Sequence, residues 1–131
     1  MKLLLDTHIW VWSVLEPARI SRRVTSELED PDNETWVSPI SSWEILMLAR
    51  KGRIKLAIEP AKWIEQSIRA AGFREAALNH EVALRSESVD LPHRDPADRF
   101  LAATARVYDL VLVTADDRLL QSRSFSSLPN R

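Results

Sequence analysis

The sequence predicts a three-layer α/β/α fold, in which helices cover both faces of a central parallel sheet. Short apolar segments alternate along the chain with segments of helical periodicity, and this alternation is typical of a parallel sheet. The apolar segments are hydrophobic on both faces, as "LVLVT" illustrates, so we expect buried strands. With 131 residues, no visible repeat and no linker, residues 1–131 are interpreted as a single domain.

The first half of the chain predicts two strands and three helices. "KLLLD" is too short for a helix and suits a buried strand. The next helix but one places Ile20, Val24 and Leu28 on one face. The helix that follows is apolar almost all round, so we expect it to be buried, with Ser41 or Ser42 as its cap. In order, the elements are a strand at 2–6, helices at 7–17 and 18–30, a strand at 35–39 and a helix at 40–51.

The second half continues the alternation. Pro60 and Gly72 bound a helix at its start and end, and Pro96 lies in the first turn of a later one. "LVLVT" is the clearest strand of the chain. In order, we expect a helix at 60–71, a weak strand at 74–78, helices at 79–87 and 95–109, a strand at 110–114, a helix at 115–121 and an edge strand at 124–128.

Composition excludes several kinds of protein. The chain has no cysteine, which rules out disulfides, thiolate chemistry and Cys-ligated zinc, and only two glycines, which rules out a glycine-rich phosphate loop. No apolar run approaches the roughly 20 residues that span a bilayer. Asp6 interrupts the first apolar run, so no signal peptide is expected. We therefore expect a cytoplasmic protein without membrane attachment.

The charge balance argues against strong non-specific affinity for nucleic acid, because the net charge is −1 and the pI is near 6.3. A local basic surface is still compatible with it, although solvated helix ends give the same pattern. Arginine suits phosphate contacts through its planar, two-pronged donor geometry. The basic groups are Arg19, Arg22 and Arg23, and then Arg50, Lys51, Arg53 and Lys55.

Four acids are placed where α/β proteins build their sites. Asp6 and Asp116 follow the carboxyl ends of two predicted strands, the edge at which ligands bind. Asp98 shares a helical stripe with apolar residues and should point toward the sheet. Glu44 lies in the middle of the apolar third helix, where an unpaired carboxylate would be costly.

Each acid also has a structural interpretation. Asp6 and Asp116 could be helix N-caps, each worth roughly 1 kcal/mol, and Asp95 is expected to cap its helix. Asp98 would then occupy the third helical position of a capping box. Glu44 fits no cap. Four carboxylates at one edge would repel each other, and an oxygen-only ligand set favours Mg²⁺ or Mn²⁺ over zinc.

Four motifs together resemble the PIN-domain ribonucleases, and most closely the VapC-type toxins of bacterial toxin–antitoxin pairs. They are "LLLDTHIWVW", "SSWEI", "HRDPADRFLAATA" and "LVLVTADDRL", and they span positions 3 to 120. The resemblance implies a PIN fold with a parallel sheet of about five strands. It also implies an endoribonuclease that hydrolyses RNA phosphodiesters through a water activated by Mg²⁺ or Mn²⁺.

The resemblance assigns roles to particular residues. The catalytic and metal-binding acids would be Asp6, Glu44, Asp98 and Asp116. Thr7 and Thr114 would support the site, and Asp117 is a neighbour that could replace Asp116. His8, His93 and Arg94 are candidate RNA contacts, although an ordinary polar role at a helix start also fits the histidines.

The resemblance further implies a homodimer and a VapB-like antitoxin whose tail covers the acidic groove. Trp10 and Trp12 lie two positions apart in one helix, so both cannot face the core, and the exposed ring would suit an interface. Two other functions are alternatives for an α/β chain with acids at its strand ends. A phosphoacceptor signalling domain would need an acidic pair after the first strand and a late lysine, but no lysine follows Lys62. A PIN scaffold that binds without catalysis is favoured by nothing in the sequence, since all four acids are present.

Overall fold

The computed structural model describes residues 1–131 and shows five parallel strands in the order β3-β2-β1-β4-β5. This confirms the predicted α/β fold and its parallel sheet. The strands are β1 (Lys2–Leu5), β2 (Glu34–Val37), β3 (Arg74–Glu75), β4 (Val111–Thr114) and β5 (Ser127–Pro129). The helices are α1 (Thr7–Leu15), α2 (Arg22–Glu29), α3 (Pro39–Arg50), α4 (Pro60–Ala71), α5 (His80–Ser88), α6 (Pro96–Val107) and α7 (Asp117–Leu120).

The central strand β1 explains why the chain opens on three leucines. It pairs with β2 on one side and β4 on the other, so both of its edges are hydrogen-bonded. Leu3 and Leu5 pack into a core with Ile9 and Trp10 of α1, while Leu4 belongs to a separate core under α6. Side chains of a strand alternate between faces, and helices therefore cover both faces of the sheet.

The second predicted helix begins later than expected. Pro17–Arg19 form one 3₁₀ turn, and α2 starts only after Ser21, whose hydroxyl accepts a hydrogen bond from the Val24 amide at 3.2 Å. A serine side chain at this position replaces a missing helical partner, which fixes the start there.

The expectation that the third helix is buried on every side was wrong. In α3 only Ser41 and Ile45 are buried, whereas Trp43 is 50% exposed and Leu46 is 42% exposed. The cap is Ser38, which accepts from the Ile40 amide at 3.1 Å, and not Ser41 or Ser42. A helix with apolar residues on all sides is therefore not necessarily packed against other elements on all sides. None of the seven helices is long and apolar enough to cross a membrane.

Candidate active site

Asp6 lies at the carboxyl end of β1 and is 8% exposed. Its Oδ1 accepts a hydrogen bond from the Thr7 amide at 2.7 Å, so it caps α1, and its Oδ2 accepts one from the Thr114 hydroxyl at 2.6 Å. Thr114 ends the neighbouring strand β4. Burial raises the pKa of Asp6, and the negative charge of Asp98 adds to this effect, while the Thr114 hydrogen bond opposes it. The Asp6 carboxylate therefore caps α1 and also belongs to the candidate site.

Glu44 reaches the same edge from the middle of α3. The Thr7 hydroxyl lies 2.5 Å from Glu44 Oε1 and 2.9 Å from the Ser41 hydroxyl. Burial, and then the charges of Asp6 and Asp98, raise the pKa of Glu44 from its ordinary 4.5 to about 7, although the Thr7 hydrogen bond lowers it. The partner that a mid-helix carboxylate requires is thus a hydroxyl, and the cluster remains short of positive charge.

Asp98 occupies the first turn of α6, behind the Asp95 cap, whose Oδ1 accepts from the Asp98 amide at 3.2 Å. His93 Nε2 lies 2.8 Å from Asp98 Oδ2. Burial raises the pKa of Asp98, and the charges of Asp95 and Asp116 add to it, while the His93 contact opposes it. Asp95 is a cap as expected, yet it also stands close enough to act on the site through its charge.

Asp116 is held by a residue that the sequence did not single out. It caps α7 and accepts two hydrogen bonds from Arg118. Nε of Arg118 lies 3.2 Å from Oδ1, and Nη2 lies 2.9 Å from Oδ2. Arg118 Nη2 also lies 3.7 Å from Asp98 Oδ2. The hydrogen bond from Arg118 lowers the pKa of Asp116. A basic residue two positions after a strand-end acid, in "ADDRL", was the available signal.

All four predicted acids line one cavity of about 340 Å³ at the carboxyl ends of β1 and β4. Of the candidate RNA contacts, His8 also lines this cavity, and His93 contacts one of its acids. The other residues that line it are Trp12, Asp95, Ala115 and Arg118.

Two predicted residues are not brought to the cavity. The Asp117 side chain is 76% exposed and pairs with Arg131 at 3.3 Å. The Arg94 side chain is 74% exposed and lies 3.5 Å from Glu87. Of the two adjacent aspartates in "ADD", Asp116 therefore lies at the cavity and Asp117 lies away from it.

The donor set fits a hard divalent cation. Asp6, Glu44 and Asp98 all carry a raised pKa, first because they are buried and then because neighbouring carboxylates repel their negative charge. Their oxygens are the ligands that Mg²⁺ and Mn²⁺ prefer. As they stand, no three His, Asp or Glu side chains are spaced to hold an ion, so a bound ion would have to draw them together.

Solved structures of similar fold are toxin–antitoxin complexes. VapBC2 of Rickettsia felis, bound to a DNA fragment from its promoter, gives a TM-score of 0.74 at 14% identity and covers 98% of each chain. DNA-bound VapBC of Salmonella typhimurium gives 0.72 at 18% identity, over 100% of this chain and 99% of that one. At such identities, the likeness concerns the fold alone.

Sequence comparisons give the family. The chain is 37% identical over 124 residues to Ribonuclease VapC22 of Mycobacterium tuberculosis. The matched region covers 92% of this chain and 92% of that protein. The family model described as the PIN domain matches residues 3–123. The protein therefore belongs to the PIN domain family.

Proposed function

We propose that this PIN-domain protein is an endoribonuclease, the toxin of a VapBC-type toxin–antitoxin pair, and that it requires Mg²⁺ or Mn²⁺. The observation that carries the proposal is the convergence of Asp6, Glu44 and Asp98 from three separate elements onto one cavity, each with a raised pKa. The identity to a ribonuclease over 92% of both chains supports the choice of substrate. We expect it to act in the cytoplasm.

The residues at the cavity have different proposed roles. Asp6, Glu44 and Asp98 would hold the cation, with Asp116 beside them. When bound, the cation would supply an activated water and neutralise charge on the phosphodiester. The Thr114 hydroxyl fixes one oxygen of Asp6, and the Thr7 hydroxyl orients Glu44.

The direct test is cleavage of a fluorescence-quenched RNA in the presence of Mg²⁺, Mn²⁺ or EDTA. We expect cleavage with a divalent cation and none with EDTA, and the same comparison tells which of the two metals is preferred. Asp6→Asn should abolish cleavage while the circular dichroism spectrum is kept. Asp117→Asn is the matched control, because that carboxylate lies outside the cavity. The proposal fails if the parent protein does not cleave with either metal, or if metal-stripped Asp6→Asn cleaves at the parental rate.

A VapB-like antitoxin is the protein partner that we propose. Proteins of similar fold include a toxin–antitoxin complex from Klebsiella pneumoniae, with a TM-score of 0.65. Co-expression with the product of the neighbouring reading frame should give a complex that no longer cleaves RNA. If the pair does not co-purify and cleavage persists, this partner is excluded.

We also propose that the protein forms a homodimer. Trp43 and Leu46 stand one helical turn apart on α3 and are both largely exposed, and neighbouring exposed apolar side chains mark interaction surfaces. Light scattering should give twice the chain mass of 15.0 kDa. The double variant Trp43→Ser/Leu46→Ser should give a monomer; a monomeric parent would contradict the proposal.

A further inference from the structure

A second cavity, of about 770 Å³, lies beside the acidic one, and His8 and Trp12 line both. The two rings are in contact, with centroids 5.7 Å apart, so the same aromatic pair forms the boundary between them. The second cavity is here called the basic groove. A linear molecule with one unit bound at the acids can therefore place its next unit in this groove.

The basic groove is lined by cations that are not in the acidic cavity. Arg19, Arg53 and Lys55 line it, against one acid, Glu16. Arg19 is paired with Glu16 at 3.2 Å, whereas Arg53 and Lys55 form no ion pair with any residue of the chain. The groove therefore carries unmatched positive charge next to a site that carries unmatched negative charge.

Arg19 is held in place before any ligand arrives. Its guanidinium carbon lies 3.9 Å from the centroid of the Trp12 ring, and Glu16 fixes its other side. A cation held on an aromatic face loses less freedom on binding an anion than a free side chain does. Trp12, which also lines the acidic cavity, thus orients a cation of the basic groove that can bind phosphate.

Apolar side chains also line the groove. They are Val11 and Leu15 of α1 together with Leu48 and Ile54. Cations beside aromatic and apolar side chains match a single-stranded nucleic acid, which offers both phosphates and flat bases.

We propose that the basic groove binds the segment of single-stranded RNA adjacent to the phosphodiester that is cleaved, with Arg19, Arg53 and Lys55 on its phosphates. This inference rests on the proposed ribonuclease function and adds the path of the substrate to it. It also explains how a chain of net charge −1 can hold a polyanion, because the positive charge is concentrated where the strand must pass.

The test measures binding of a fluorescein-labelled single-stranded RNA of mixed sequence by fluorescence anisotropy, with Mg²⁺ and in the Asp6→Asn background, so that cleavage does not interfere. Arg53→Ala/Lys55→Ala should weaken binding by about tenfold, since two phosphate contacts are lost. The slope of log K against log salt should become shallower by about 1.4, at roughly 0.7 per contact. A merely structural role would not move this slope.

Two matched controls accompany this variant. Lys62→Ala/Arg69→Ala removes the same charge from exposed positions of α4 outside the groove, and should leave affinity and slope unchanged. Arg53→Lys/Lys55→Arg keeps both charges and should keep the parental slope.

The outcomes separate the two proposals. If the parent protein does not cleave RNA with a divalent cation, the proposed function fails first. If it cleaves but Arg53→Ala/Lys55→Ala binds RNA with the affinity and slope of the α4 control, the groove proposal is overturned. The groove proposal is equally overturned if the variant loses only binding to the antitoxin.

Discussion

Glu44 shows how one carboxylate links the site to stability. In the folded protein its pKa is about 7, against an ordinary 4.5, so the folded state binds the proton more tightly than the unfolded state. The stability that this proton provides is present below 4.5 and is lost as the pH rises through 7. Above that pH, the ionised Glu44 carboxylate destabilises the metal-free folded protein, and this is the cost of keeping the carboxylate at the site.

Glu44→Gln should remove this cost. Glutamine can still accept the Thr7 hydrogen bond but carries no charge. In EDTA, we expect Glu44→Gln to melt at a higher temperature than the parent at about pH 8, with the gain disappearing toward about pH 5. Thermal melts across this range measure it, and Glu65→Gln on the exposed face of α4 is the control. A gain that is equal at both pH values would contradict the explanation.

At the proposed metal site, Arg118 would compete with the ion for the oxygens of Asp116 and Asp98. It holds both oxygens of Asp116 and approaches Asp98, and it is itself largely exposed. Arg118→Ala should therefore bind Mn²⁺ about two- to fivefold more tightly in isothermal titration calorimetry, in line with the modest strength of exposed ion pairs. Arg118→Lys, which keeps the charge, should lie between. Weaker binding by Arg118→Ala would show instead that Arg118 orients Asp116 for the ion.

The sequence predicted that four acids meet at one edge of the sheet, and they do line one cavity there, but it did not predict that Arg118 lies beside them. Strand ends and helical stripes are local patterns, and they located Asp6, Asp98 and Asp116 at one edge. The part played by Arg118 depends on the turn between β4 and α7, which brings Arg118 within 3.7 Å of Asp98 and which no periodicity encodes. The sequence favoured Asp116 and left Asp117 as its possible replacement, and the direction of that turn separates the two.

Among the elements, α6 depends on one buried side chain that reaches across to α5. Arg99 is 8% exposed and donates to four backbone oxygens: Ser86 and Glu87 at the end of α5, Val89, and His93. It therefore fastens the connection that carries His93 to Asp98.

Arg99→Met keeps the aliphatic volume and removes these hydrogen bonds. Buried carbonyls left without donors should lower the free energy of unfolding by at least about 2 kcal/mol. Denaturant unfolding measures the loss, and hydrogen exchange should rise in residues 89–95. Arg106→Met, an exposed change on the same helix, should be near neutral. An equal loss for both variants would exclude a special role for Arg99.

The central elements were predicted well, and the peripheral ones less well. Strands β1, β2 and β4 lie where the short segments predicted them, and in β1 and β4 burial on both faces leaves a strong apolar pattern. The edge strands are shorter than predicted: β3 has 2 residues and β5 has 3, and each pairs with a neighbouring strand on one side only. The exposure of Trp43 could not be predicted, because a pattern shows that a face is apolar and not what covers it.

At the scale of the whole molecule, a bound ion should couple the site to global unfolding. A ligand that binds only the folded state at a hundred times its Kd adds about 2.7 kcal/mol of stability. We expect Mg²⁺ to raise the melting temperature of the parent and EDTA to reverse this. Asp6→Asn should show no such shift, and a shift of parental size would place the ion elsewhere.

The hydrogen bond between Thr114 and Asp6 joins positions 108 residues apart, and this has a consequence for synthesis. While the chain emerges from the ribosome, β1 appears first but lacks β4, its partner on one edge, until residues 111–114 follow. A nascent chain consequently has neither Thr114 nor Asp116 beside Asp6. The proposed site is thus incomplete until residues 111–116 have been translated, so a nascent chain that stops before them should not cleave RNA.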